Sequence, residues 1–141
     1  MDRAAAENGA LACVGLTGGE PLLDLENALR FLGRAGELWP GAHKRLYTSG
    51  DLLTVEAAAR LRDAGLDEIR FSVKDDDAPE QQERVIAAMR LAKEFIPSVM
   101  VEMPVIPGAR THLQQLFCQF EDVGIDGINL LEFCFPFCNW D

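Results

Sequence analysis

The sequence predicts an α/β fold of parallel strands alternating with amphipathic helices, either an open doubly wound sheet or part of a (βα) barrel. Three observations predict it. Five short, mostly apolar runs able to form strands have centres about 25 to 35 residues apart, the length of one βα unit. Helical patterns with a single apolar stripe lie between them. Four strand ends carry small or polar residues: Thr17-Gly18-Gly19, Thr48-Ser49-Gly50, Ser72-Val73-Lys74 and Pro107-Gly108. In α/β folds that carboxyl edge is where chemistry is done.

The strand-forming runs are Leu11–Thr17, Arg45–Thr48, Glu68–Val73, Ser98–Val105 and Gly127–Phe133. The first helix has a stripe of Leu25, Ala28, Leu29 and Leu32, with Phe31 beside it. The second, Val55 to Ala64, is alanine-rich, with Thr54 as its N-cap and Gly65 as the residue that closes it. Val85, Met89, Ala92 and Ile96 mark the third, with Ile86 alongside. Leu113, Leu116, Phe117 and Phe120 mark the fourth. No linker divides the chain, so residues 1–141 read as one domain. The acidic run Asp75-Asp76-Asp77 reads as a solvated loop before a helix.

With 48% hydrophobic and 26% charged residues, the composition is that of a globular domain able to bury a core. A formal charge of −10 and the lack of a basic run argue against nucleic acid or an anionic membrane surface as partner. No apolar stretch approaches the roughly 20 residues that span a bilayer. The amino terminus has acids and no apolar signal core, which makes a cytoplasmic location the expectation. The four cysteines, Cys13, Cys118, Cys134 and Cys138, do not read as a disulfide framework. Cys13 lies in an apolar run and Cys118 beside a helical stripe, so both are expected to act as small core hydrophobes.

Parallel strands covered on both faces should be almost continuously hydrophobic. Here Arg70, Ser72 and Lys74 share one face of their strand, Glu102 interrupts the next, and Asn129 and Glu132 stand on opposite faces of the last. A buried charge must be paired or face a wet cavity. Two readings stay open: an internal Arg70–Glu102 ion pair plugging a barrel floor, or ligand contacts. Ser72 and Lys74, near a strand end, favour ligand contact, and Glu102 and Glu132 are candidate substrate contacts.

The segment Gly18-Gly19-Glu20-Pro21 ends the first strand. Consecutive glycines let a ligand reach backbone groups, proline stops the ladder, and a carboxylate accepts strong hydrogen bonds from an ammonium group. The combination suits the amino end of an amino acid. It does not suit a phosphate, since no Gly-Lys-Ser/Thr follows and an acid would repel the anion. The bland alternative is a strand-ending turn with an incidental glutamate.

Gly18-Gly19-Glu20-Pro21 also resembles the S-adenosylmethionine motif of the radical SAM superfamily. Leu46-Tyr47-Thr48-Ser49-Gly50, Phe71-Ser72-Val73-Lys74 and Met103-Pro104-Val105-Ile106-Pro107-Gly108 resemble its following motif strands, in order. The nearest likeness is to the activating-enzyme and maturase branch. The resemblance implies a partial (βα) barrel of about five parallel strands with outer helices, radical SAM and TIM-like. It implies S-adenosylmethionine as cofactor, with Gly18 and Gly19 offering backbone to its methionine part and Glu20, next to Pro21, holding its ammonium. Thr48 or Ser49, with Ser72 and Lys74, would lie along the carboxylate and ribose, and Val105 and Ile106 near the adenine. It implies a [4Fe-4S] cluster in the complete enzyme, a reductant such as flavodoxin or ferredoxin, and a small-molecule or peptide substrate.

The superfamily's Cys-x3-Cys-x2-Cys precedes the strand that ends in Gly-Gly-Glu-Pro, and residues 1–10 contain no cysteine. Thiolates are the usual ligands of such clusters. The expectation is therefore a partial domain without its first βα unit, catalytically incompetent by itself. Cys134, Cys138 and Asp141 have similar spacing but follow the last strand, and read as an aromatic loop with two ordinary cysteines or a weak metal candidate. Two other functions remain open. One is a cluster-free domain that binds a nucleoside or amino acid. The other is a fragment of a TIM-barrel lyase or aldolase, with Lys74 as Schiff-base lysine and Glu102 or Glu132 as acid or base.

Overall fold

A computed structural model describes residues 12–74 and 77–132. Five strands run in parallel: β1 (Cys13–Leu16), β2 (His43–Thr48), β3 (Glu68–Ser72), β4 (Ser98–Val105) and β5 (Gly127–Glu132). They are joined by α1 (Leu25–Leu38), α2 (Val55–Asp63), α3 (Pro79–Lys93) and α4 (Arg110–Val123), with a short 3-10 turn, Pro21–Asp24, before α1. β2 begins two residues before its predicted start, because His43 and Lys44 continue the ladder to β1.

Strand order in the sheet is β1-β2-β3-β4-β5. Right-handed crossovers that always advance in one direction put every helix on the same face. A doubly wound sheet instead reverses its order at a switch point, so the barrel alternative is the one realised. Successive helices touch in the same sequence around that face.

The core lies between the sheet and the helices. Leu46, Ile69, Phe71, Val73, Val99, Val101 and Met103 point outward from the strands and are buried. They meet Leu32 of α1, Ala57, Ala58 and Leu61 of α2, Val85, Met89 and Ala92 of α3, and Leu116 and Phe120 of α4. The predicted stripes are thus the core-facing ones. Thr54 Oγ1 caps α2 by accepting from the Ala57 N–H at 3.1 Å, as the sequence predicts.

Both described cysteines correct the expectation of burial: Cys13 and Cys118 are exposed. Cys13 is on edge strand β1, in register with His43 on the face away from the helices. Cys118 follows the α4 stripe but turns to solvent, since Leu116 and Phe120 already fill the contact with the sheet. Cys134, Cys138 and Asp141 lie outside the described residues.

Candidate functional site

Side chains on the inner sheet face, opposite the helices, follow from register. Tyr47 pairs with Arg70, Ser72 with Glu102, and Glu102 with Asn129. Near the amino ends of the strands this face carries a charge ladder. Glu68 is buried and accepts from Arg70 Nε at 2.5 Å, with His43 Nε2 3.0 Å away. Arg45 Nε also lies 2.5 Å from Glu68 Oε1 without hydrogen-bond geometry, and Arg45 hydrogen-bonds the carboxylate through Nη2, which donates to Oε2 at 3.5 Å. Burial pushes the Glu68 carboxyl up, yet hydrogen bonds from Arg70, His43 and Arg45 outweigh it and hold it below its ordinary value. Arg70 also stacks over the Tyr47 ring at 5.7 Å and reaches Glu102 at 3.7 Å. Arg70 thus meets both acids, Glu68 more tightly than Glu102, its partner in one of the two readings the sequence leaves open. The alternation that aligned Arg70 with Ser72 also places Glu68 on that face.

Above the ladder, at the carboxyl ends of the strands, opens a cavity of about 650 Å³. Gly18, Gly19, Glu20, Thr48, Ser49, Ser72, Lys74 and Glu102 all line it, drawn from four βα loops and strand ends. Pro21 lines a smaller adjoining recess with Asp24 and Asn27. Val105 and Ile106, at the end of β4, are half-buried and not among the cavity's lining residues. Glu132 is exposed at the end of β5, with Val105 opposite it in register, on the face away from Glu102. Tyr47, Asp51, Asp77 and Gln81 also line the cavity and were not read from the sequence. Asp77 lies in the loop before α3, as the sequence predicts, and its Oδ2 also accepts from the Lys74 backbone N–H at 3.0 Å, which fixes the end of β3. Asp75 and Asp76 lie outside the described residues.

Glu20 organises the rim. Its Oε1 accepts from the Leu22 N–H at 3.0 Å, capping the 3-10 turn, and from Thr48 Oγ1 at 2.8 Å. Its Oε2 accepts from the Ser49 N–H at 2.8 Å and the Ser49 hydroxyl at 3.0 Å. Ser49 Oγ also lies 3.2 Å from Asp51 Oδ2, and Asp51 in turn accepts from Gln81 Nε2 at 3.0 Å. One carboxylate so ties the loop after β1 to the loop after β2, and Asp51 extends the tie to α3. The Thr48 hydroxyl donates to Glu20 and accepts from the Gly50 N–H at 3.0 Å.

Gly18 and Gly19 have φ of +95° and +66°, a region L side chains rarely adopt. A Cβ on either would meet nothing within 4 Å. Their peptide groups therefore lie bare at the cavity, as a cradle in which a methyl group would occupy ligand space. Bare backbone, one bound carboxylate, hydroxyls from two strand ends and an ammonium at Lys74 suit a zwitterionic amino acid joined to a polyol or nucleoside.

The family model for the radical SAM superfamily matches residues 1–111. The chain belongs to that superfamily. Among curated relatives, it is 30% identical over 125 residues to a provisionally named glycyl-radical enzyme activating enzyme from Methanocaldococcus jannaschii, covering 85% of this chain and 33% of that protein. It is 31% identical over 144 residues to a provisionally named GTP 3',8-cyclase from Metallosphaera sedula, covering 94% of this chain and 43% of that one. The chain thus spans well under half the length of these relatives. Solved structures of anSMEcpe with bound AdoMet, one of them also holding a peptide, align with a TM-score of 0.73 at 18% identity. They cover 96% of this chain and 41% of the solved one, and agree on the radical SAM partial-barrel fold.

The bare glycine cradle and the rim hydroxyls fit S-adenosylmethionine, the superfamily's cofactor. The superfamily's iron–sulfur cluster is another matter. No three His, Cys, Asp or Glu side chains are grouped to hold a metal among the described residues. They therefore do not provide the ligands for a cluster.

Proposed function

We propose that this chain is the S-adenosylmethionine-binding portion of a radical SAM enzyme. The complete enzyme would use a [4Fe-4S] cluster to generate a 5′-deoxyadenosyl radical. The observation that carries the proposal is the Gly18-Gly19-Glu20 rim: open backbone with positive φ beside a carboxylate fixed by hydrogen bonds from two loops. The chemistry that the cluster supplies when bound is one-electron cleavage of S-adenosylmethionine to methionine and that radical.

The residues of this chain bind and orient. Gly18 and Gly19 carbonyls accept from the cofactor's ammonium, whose charge is balanced by Glu20. Ser49 has one hydroxyl proton and two carboxylates within reach, Glu20 at 3.0 Å and Asp51 at 3.2 Å. Turning that proton to Asp51 frees a lone pair on Glu20 Oε2 for the incoming ammonium. Lys74 offers a counter-charge to the carboxylate, and Ser72 stands beside the ribose. Ile106 supplies apolar surface for the adenine from just beyond the end of β4. A small molecule or peptide is the substrate, and a flavodoxin or ferredoxin the reductant.

Product analysis on the complete enzyme is the test. After anaerobic reconstitution with iron and sulfide and reduction with dithionite, it should convert S-adenosylmethionine to 5′-deoxyadenosine, and Glu20→Ala should slow this at least tenfold. No 5′-deoxyadenosine from a protein that shows iron–sulfur absorbance would overturn the proposal.

A further inference from the structure

Glu20 is saturated before any ligand arrives. A carboxylate offers about four lone-pair sites, and four donors meet this one: the Leu22 N–H and the Thr48 hydroxyl on Oε1, the Ser49 N–H and the Ser49 hydroxyl on Oε2. An incoming ammonium therefore has to displace one of them. The two N–H groups are backbone, fixed by the loops that carry them. Thr48 is buried, and Glu20 is the acceptor its hydroxyl meets among the described residues, so breaking that bond strands a proton. The Ser49 hydroxyl alone has a second acceptor, Asp51 Oδ2 at 3.2 Å against 3.0 Å to Glu20.

Asp51 is held where it can take that proton. Its Oδ1 accepts from Gln81 Nε2 at 3.0 Å and faces Arg84 Nε at 3.6 Å, both on α3, which leaves Oδ2 to Ser49. The Asp51 N–H donates to Ser49 Oγ at 3.4 Å, so the hydroxyl keeps that bond whichever way its proton turns. Because both acceptors lie within ordinary hydrogen-bond reach, the turn costs little. An ammonium then gains a charge-assisted bond to Glu20, whereas a ligand without one leaves the proton where it is.

We propose that Asp51, held by Gln81, makes the rim selective for an ammonium by drawing the Ser49 hydroxyl off Glu20. Asp51 is a positioning residue: it acts through Ser49 and touches no ligand. The assignment rests on the S-adenosylmethionine reading for where the amino end lies, and adds what sets the site's preference among adenosyl ligands.

Calorimetry on the 141-residue chain, with no iron present, provides the test. S-adenosylmethionine and S-adenosylhomocysteine carry the ammonium, and 5′-methylthioadenosine lacks the amino-acid part. Each is titrated into wild type, Asp51→Ala, Gln81→Ala, Ser49→Ala and the Ser49→Ala/Asp51→Ala double variant, after circular dichroism has established folding. Asp51→Ala should weaken both amine-bearing ligands about tenfold, the worth of one charge-assisted hydrogen bond, and change 5′-methylthioadenosine less than about twofold. Gln81→Ala, which leaves the Ser49–Asp51 loop itself intact, should show the same pattern at about threefold. With Ser49→Ala already in place, Asp51→Ala should change all of these affinities less than about twofold. A loss that persists without the Ser49 hydroxyl, or that falls equally on 5′-methylthioadenosine, gives Asp51 a direct or merely structural role and overturns the assignment. So does the absence of any loss. Wild type that binds neither amine-bearing ligand overturns the S-adenosylmethionine reading and the assignment with it.

Discussion

Gly50 has φ of +88°, and a Cβ there would stand 2.9 Å from Phe71 Cε1 and 3.1 Å from the Ala88 Cβ. Phe71 is fully buried, so its ring has nowhere to retreat. Gly19 has a similar backbone but open space around it. The two positions should therefore separate stability from binding. Gly50→Ala is expected to cost about 2 kcal/mol or more, from the left-handed backbone plus overpacking. Gly19→Ala should cost only about 1 kcal/mol, from the backbone alone, yet weaken S-adenosylmethionine binding because the new methyl enters the cradle. Thermal melts with parallel calorimetry check both, and equal melting temperatures for the two variants would contradict the packing around Gly50. At this scale the sequence was legible where chemistry is local: Gly18, Gly19 and Glu20 stand together in the chain and in space. Asp51 and Gln81 were not, because their role comes from a hydrogen bond between residues thirty positions apart, at 3.0 Å.

The ladder on β2, β3 and β4 makes a pH prediction. Glu68 is held below its ordinary pKa by Arg70, His43 and Arg45, against the upward push of burial. The Asp126 carboxyl, pushed up by its partial burial, is held down more strongly by the Val99 N–H and Lys93. A carboxyl with a depressed folded-state pKa contributes stability above its unfolded-state value, and that stability is lost as pH falls through the folded value. Stability should accordingly be flat above about pH 5 and decline below it, as ordinary carboxylate pKa values are passed. Glu68→Gln should flatten that decline, and Glu68→Ala should destabilise at neutral pH by about 3 kcal/mol, since it strands two arginines. Urea melts from pH 3 to pH 7, a range of about four units around the carboxylate values, provide the check. An unchanged acid limb in Glu68→Gln would contradict the ladder. Alternation along β3 was readable from Arg70, Ser72 and Lys74. Which acid Arg70 meets required the register, since Glu68 and Glu102 both lie on the face it shares.

Across the whole molecule, β1 pairs only with β2 and β5 only with β4 among the described residues. Among the described residues the sheet is an open arc of a barrel, with two unpaired strand edges and no wall facing the charge ladder. Exposed edges recruit other strands, so the 141-residue chain is expected to self-associate. Light scattering after size exclusion should give a mass above 15.5 kDa that grows with concentration, and a monodisperse monomer would contradict this. The parallel βα rhythm was legible because period and stripe are local properties of sequence. The choice between barrel and doubly wound sheet was not, because strand order is set by which edge each new strand joins.

Everything in the functional account depends on the strand-end cavity holding S-adenosylmethionine before any radical chemistry is considered. The most direct measurement is therefore calorimetric titration of the cofactor into the 141-residue chain and its Glu20→Ala variant, with no iron or reductant present. The account predicts saturable one-to-one binding by wild type and at least tenfold weaker binding by the variant, the loss of about one charge-assisted hydrogen bond. Equal affinities in the two proteins, or no heat with folded wild type, would contradict it.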